Sequence, residues 1–234
     1  NLNPQSVFGQ IIGLTVEQQS DLWAYMQEVY WSQYPDSATG VNLDRVVSIN
    51  GLTRLGARAT TVLATVGGLI GTILSEGRIV RSEASGRQYQ SIDPLTLNAD
   101  QSVGATIIVN DIDDLTAYTV NLDGTPYTYT SDGSPSEIAI LTNLEAALPA
   151  WVRTALVAGG SSPGFIRIEY DTAQPLVVSG NLTISRIENY LTFVGLDVGP
   201  IAVGVGALDR IMTPAAGWET ITNRFPGTAG RASE

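Results

Sequence analysis

Asp111, Asp113 and Asp114 form the tightest acidic cluster in the chain, with Asn110 beside them. An oxygen-rich group of this kind is the chemistry of a calcium site, which collects six to eight oxygen ligands. The spacing does not match an EF-hand loop and no glutamate follows at the required distance, so a solvated acidic turn between two strands is expected. Glu137 and Glu145 lie two helical turns apart on one face, and paired carboxylates facing a cleft are what a glycosidase needs. Glu137 is better explained as part of a helix cap. Gly67-Gly68-Leu69-Ile70-Gly71-Thr72 has the glycine density of a phosphate loop, but it lacks the lysine and opens no evident helix. Ser161-Ser162 beside Gly159-Gly160 reads as a loop and not as a nucleophile elbow. The chain has no histidine and no cysteine. A Ser-His-Asp triad, a Cys-His pair, a histidine-bearing zinc site and a disulfide are therefore excluded. The expectation is a protein that is not an enzyme and uses no cofactor and no metal.

The bulk composition favours contact over chemistry. The net charge is −11, and 44% of the 234 residues are hydrophobic, enough for a packed core. A negative chain lacks the basic stripe that neutralises phosphates, which argues against sequence-independent nucleic-acid binding and against docking on anionic lipid. Charged residues make up 15%, against a usual ~25%, and lightly charged surfaces suit permanent interfaces. No apolar run approaches the ~20 residues of a membrane-crossing helix; the longest, from Thr61 to Leu74, is broken by Gly67, Gly68 and Gly71. No signal peptide is visible at the N-terminus. Asn1 is not an initiator methionine, so a processed or partial chain is expected.

Elements follow from periodicity and punctuation. Residues 1–34 predict a polar lead and then a helix, with Thr15 and Gln18 as a capping box and Leu22, Tyr25, Met26 and Val29 on one apolar face. Trp23, Tyr30, Trp31 and Tyr34 add aromatic bulk, either to a core or to a contact with another chain. A second short helix follows Gly40, with Asn42 as N-cap and Asp44 in its first turn. Asn50-Gly51 stops it, because glycine adopts the left-handed backbone without penalty. Asp44 and Arg54 are either an ion pair or two solvated charges. Residues 59–103 read as short strands. In 104–190, Tyr118–Leu122 and Tyr127–Thr130 make a hairpin about Asp123-Gly124. Ser134 caps a helix carrying Ile138, Leu141, Leu144, Ala147 and Leu148, which ends at Pro149. Phe165–Tyr170 alternates as a half-buried strand, and 176–178 with 182–184 suggest a second hairpin about Ser179-Gly180-Asn181. Residues 191–234 return to strands and turns.

The order Ala38, Gly40, Leu43, Asp44, Gly51, Arg54 resembles the N-terminal signature of the baseplate J-like wedge proteins of contractile phage tails. Gly68, Gly71, Thr72, Leu74 and Gly77 are similar to that family's glycine-rich β-turn region, with Glu76 where a proline is usual. Pro214, Gly217, Trp218 and Asn223 resemble a later strand of the family, and the chain stops at Glu234 where an arginine-bearing segment would begin. The resemblance implies the N-terminal portion of a longer protein. The pattern of helices, strands and hairpins reads as an α+β fold in three parts, which the resemblance casts as a helical trunk over 1–58, a β-rich core from 59–103 and 191–234, and an inserted hairpin-helix-hairpin arm over 104–190. By the same resemblance, the protein is a structural component of the tail baseplate in the virion, made in the host cytoplasm. It would pair with itself as a wedge dimer and with other baseplate proteins, join the ring around the tail hub, and relay attachment to sheath contraction. Trp23, Trp31 and Trp218 are the interface anchors to test. The alternative is a carbohydrate-binding or glycan-cleaving tail module, suggested by the β-rich middle, the acidic balance and the strand tyrosines Tyr127 and Tyr129.

Overall fold

The computed structural model describes residues 6–53, 55–157, 164–170 and 175–232. Arg54, weighed above with Asp44 as an ion pair or as two solvated charges, the Gly159–Ser162 loop and Glu234 lie outside the described residues. The described residues divide into two compact units, one within 1–56 and one of Ala57–Ala232.

The first unit holds helices α1 (Val7–Trp31) and α2 (Gly40–Ser48). α1 starts eight residues before Thr15. Its cap is Ser6, whose Oγ accepts from the Gly9 amide at 3.1 Å. Thr15 is interior, and its hydroxyl donates back to the Ile11 carbonyl at 2.9 Å. The apolar spacing of Phe8, Ile11 and Ile12 continues the helix past the polar pair that mimics a cap. α2 begins at Gly40 after Thr39, two residues before Asn42, and this puts Asp44 beyond its first turn. Gly51, with φ of +73°, ends the segment as its position predicts.

The second unit is mostly strand. β1 (Ala59–Gly68), β2 (Ile73–Leu74), β3 (Ile79–Arg81), β4 (Gln88–Ser91), β5 (Leu95–Thr96) and β6 (Ser102–Ile108) come first. β7 (Ala117–Leu122) and β8 (Thr125–Thr130) precede α3 (Glu137–Ala147). β9 (Val152–Val157), β10 (Phe165–Tyr170), β11 (Val178–Gly180), β12 (Thr183–Val198), β13 (Arg210–Ile211) and β14 (Trp218–Thr222) complete the chain. The main sheet runs β13-β3-β4-β12-β6-β10-β9, with β1 against β12 and β14 against β1.

β12 organises this unit. Its first half pairs with β6 from Thr183↔Ile108 to Asn189↔Ser102, and its long run with β1 reaches Val198↔Ala59. β6 in turn carries β10, and β10 carries β9. The expected boundaries at 104 and 190 therefore fall inside β6 and β12, and the strands of 104–190 continue the sheet of the flanking segments. An alternating strand has no means of signalling in sequence that it outlasts its domain, because the period of two is the same on both sides.

β7 and β8 form the expected hairpin. Asp123 and Gly124 both have positive φ, +50° and +80°, as a two-residue turn matched to strand twist requires. The second expected hairpin does not form. Val178 pairs with Leu122 of β7, while Thr183 pairs with Ile108 of β6. Asn181 draws the turn onto β7: its Oδ1 accepts from the Thr119 amide at 2.7 Å and its Nδ2 donates to the Ala117 carbonyl at 2.6 Å. α3 starts after Ser136, whose Oγ accepts from the Ala139 amide at 3.3 Å. The Ser134 amide instead donates to Asp132 in a turn. Ile140, Leu141 and Leu144 are its buried residues, and Ile138 faces out. They join one hydrophobic cluster with Val66, Tyr89, Ile107, Ile166, Ile187 and Phe193.

Candidate functional site

The acidic segments that the sequence offers for chemistry are tied into the fold. The Asp111–Asp114 turn is tied by Tyr118, whose hydroxyl donates to the Asp111 carbonyl at 3.0 Å and accepts from the Asp113 amide at 2.8 Å. Among the described residues, no group of three or more acidic side chains converges as a metal site would. Glu145 accepts from the Thr154 hydroxyl at 2.5 Å, which fixes α3 on β9. Glu137 stands in the first turn of α3, where its charge suits the helix end.

Sequence periodicity missed a charged rib across the polar face of the main sheet. In register, Glu169 of β10, Gly104 of β6, Glu188 of β12, Gly67 of β1 and Thr220 of β14 form one row. The two glycines leave the space that the charged side chains fill. A Cβ on Gly104 would stand 2.7 Å from Glu188 Oε2, and one on Gly67 would meet the Thr220 hydroxyl. Glu188 is buried, and its carboxylate accepts from Arg167 Nε at 3.0 Å and Nη2 at 2.7 Å, and from Arg224 Nη2 at 2.5 Å. Arg224 also donates to the Val103 carbonyl at 2.9 Å, and Arg167 meets Glu169 at 2.5 Å. Burial pulls the Arg167 pKa down, but the Glu188 and Glu169 carboxylates outweigh it and the net shift is upward. On β12, two residues before Glu188, Arg186 is paired with Glu219 of β14, and that hydrogen bond and charge raise its pKa.

These residues border an open groove of about 470 Å³, with Phe165 and Ile187 as its apolar walls. Arg167 and Arg186 in its lining each hold a carboxylate of this chain. The groove therefore presents neutralised ion pairs, which fit a structural brace better than an anion site. On the core side, burial pushes the Tyr170 hydroxyl up to about 12. The signal that could have exposed the rib is the pairing of glycines with charges at strand positions facing away from the core. It becomes readable only once the register is known.

The other distinctive surface is α1. None of its residues is buried. At about 100° per residue, Ile11, Leu22, Tyr25 and Val29 fall along one line, and Ile12, Trp23, Met26 and Tyr30 along a line beside it. Glu17, Asp21 and Glu28 share the opposite side, and α1 carries no lysine or arginine. Trp23 is 68% exposed and Trp31 52% exposed, as an anchor to another chain requires. Trp31 also borders an open cleft of about 300 Å³ between α1 and α2, with Gln27, Ser37 and Asn42. Tyr34 donates its hydroxyl to that of Tyr30 at 3.2 Å, and this bond raises the Tyr34 pKa.

Trp218 is placed differently. It is 6% exposed, lies in the core cluster, and donates its indole N–H to the Thr220 carbonyl at 2.8 Å. An anchor needs a free face, so Trp218 is a core residue of β14 and not an interface residue. Tyr127 and Tyr129 likewise pack against the core. The two glycine-bearing stretches, Gly68–Gly77 and Pro214–Asn223, meet in space: β1 pairs with β14, and the Leu69 amide donates to the Gly217 carbonyl at 2.9 Å. Gly217, at φ of +86°, leaves room for Thr72, which a side chain would strike. No protein-family model matches the chain, and no curated protein is similar to it.

Proposed function

We propose that this chain is a structural building block of a contractile phage tail baseplate, of the wedge kind, acting through shape and contact without bond-making chemistry of its own. The observation that carries this is α1, a 25-residue helix with no buried residue and a broad apolar, aromatic side. Helices that expose this much apolar surface are stabilised by packing on something else. The resemblance over residues 38–54 and 214–223 supplies the kind of assembly: subunits joined to themselves and to other baseplate proteins in the virion. The braced sheet of the second unit suits a part that must transmit force without changing register. The packing of Tyr127 and Tyr129 against the core weakens one of the three features that favoured a glycan-binding module.

Quantitative mass spectrometry of purified tailed particles tests this. Peptides of this chain should co-purify with isolated tails at a fixed ratio to the tail proteins. Their absence from particles whose tails are otherwise complete would contradict the assignment.

A further inference from the structure

The geometry points to β9 as the contact edge of a two-fold pair of this chain. Val152–Val157 of one copy lies antiparallel to the same strand of the other, and the two main sheets become one. This goes beyond the assembly role proposed above and draws nothing from α1.

A sheet edge offers unpaired amides and carbonyls to other chains, and proteins guard such edges with short strands, proline, bulges, charge or a covering loop. Among the described residues, the other edges of the second unit are guarded. β13 has two residues and β11 three. β8 carries Pro126. β14 has a bulge against Gly67 and Gly68, and just past its end the Gly206 amide donates to the Asn223 carbonyl at 2.8 Å. β9 differs. It has six residues and no proline, and its register with β10 is unbroken from Tyr170↔Val152 to Phe165↔Val157. No described strand pairs with its other side. Its one charge, Arg153, stands opposite Glu169 and is balanced within the sheet.

The strand also matches itself. Opposite residues of an antiparallel pair share a face of the sheet, so the two-fold axis must pass through a residue. Centred on Thr154, the pairing sets Arg153 opposite the partner's Ala155 and Val152 opposite the partner's Leu156. One step before the strand, Trp151 comes opposite the partner's Val157. Trp151 is 43% exposed and Val157 50% exposed. Each covers the other, an aromatic against a β-branched side chain, which is a favourable cross-strand pair. Val152 and Leu156 belong to the hydrophobic cluster and carry it across the junction. Centring on Arg153 would set two like charges face to face, which is unfavourable, and centring on Ala155 would part Trp151 from Val157. The match calls for a second copy, because what covers Trp151 is a residue of the same strand.

The chain has no cysteine, so a single introduced thiol reports its own neighbour. Opposite Cα atoms in an antiparallel pair are about 4.5–5.5 Å apart, within reach of a disulfide. Thr154→Cys in the full chain, under mild oxidation, should give a species of twice the chain mass on a denaturing gel, reversed by reductant. Val157→Cys is more exposed but stands roughly 20 Å from its own copy in this register, six residues along the strand, and should stay single. Circular dichroism of the strand signal keeps a misfolded variant from counting. Cross-linking of Val157→Cys to the same extent, or a Thr154→Cys chain that stays single, overturns the proposal. Light scattering on the wild type separates the two readings: a mass of two chains with Thr154→Cys still single refutes β9 alone and leaves self-assembly standing, whereas a single-chain mass overturns both.

Discussion

Replacing Glu188 by glutamine tests whether the charged rib braces the second unit. The change keeps the size of the side chain and removes its charge. Arg167 and Arg224 then share Glu169 alone, at 2.5 and 3.6 Å. Breaking a buried ion pair by removing one partner costs about 3–5 kcal/mol. The Arg167 side chain is 40% exposed, so solvent screens part of that loss, whereas Arg224 is only 17% exposed. With Glu169 as a remaining partner, about 2–3 kcal/mol is expected. At about 2–4 °C per kcal/mol for a domain of this size, Tm should fall by roughly 4–12 °C. Thermal unfolding followed by circular dichroism of the strand signal reads this directly. Glu219→Gln is the comparison: its partner Arg186 is 51% exposed, and such surface pairs contribute at most about 1 kcal/mol. If Glu188→Gln is no more harmful than Glu219→Gln, the rib is ornament and the bracing role is wrong.

Two further tests follow from the same sheet. Burial holds the Tyr170 pKa at about 12 in the folded state against ~10 unfolded. The protonated hydroxyl therefore contributes stability that is fully present below pH ~10 and lost between ~10 and ~12, on the order of 2–3 kcal/mol. Tyr170→Phe should flatten that part of a urea-midpoint profile, and an unchanged alkaline slope would contradict the assignment. Gly104→Ala places a methyl 2.7 Å from Glu188 Oε2 and 3.1 Å from the Ile168 carbonyl, which should cost about 1–3 kcal/mol by overpacking. In a Glu188→Ala background the penalty should shrink, and strict additivity in that double-mutant cycle would show that the two positions do not share space.

Much of the secondary structure was legible because it is local. The Asp123-Gly124 turn, the Phe165–Tyr170 alternation and the Gly51 stop are written in a few adjacent residues, and the α+β class follows from them. Helix starts were poorly legible, with Thr15 well inside α1 and Ser134 just ahead of the true cap of α3, because Thr15 and Ser134 offer the same capping chemistry as Ser6 and Ser136. Pairing was not legible. Whether Val178 joins β7 or β12 depends on the Asn181 contacts across more than sixty residues of chain. The same holds for the rib: Gly67, Gly104 and Glu188 are unremarkable apart and acquire meaning only in register. Trp218 shows the converse error, since an aromatic after a glycine carries no mark of which side of a strand it takes. On α1, Trp23 and Trp31, expected as anchors, are exposed. The broad apolar side was hidden by starting the helix at Thr15, which cuts off Phe8, Ile11 and Ile12.

In the proposed assembly role, α1 is covered by other copies of this chain when the protein is at work. Hydrogen–deuterium exchange of residues 7–31, measured over a wide range of protein concentration, tests it most directly. Protection of these amides should rise with concentration and collapse on dilution, while the amides of β12 stay unchanged. Exchange in α1 that is fast and independent of concentration would show that nothing of its own kind covers the helix.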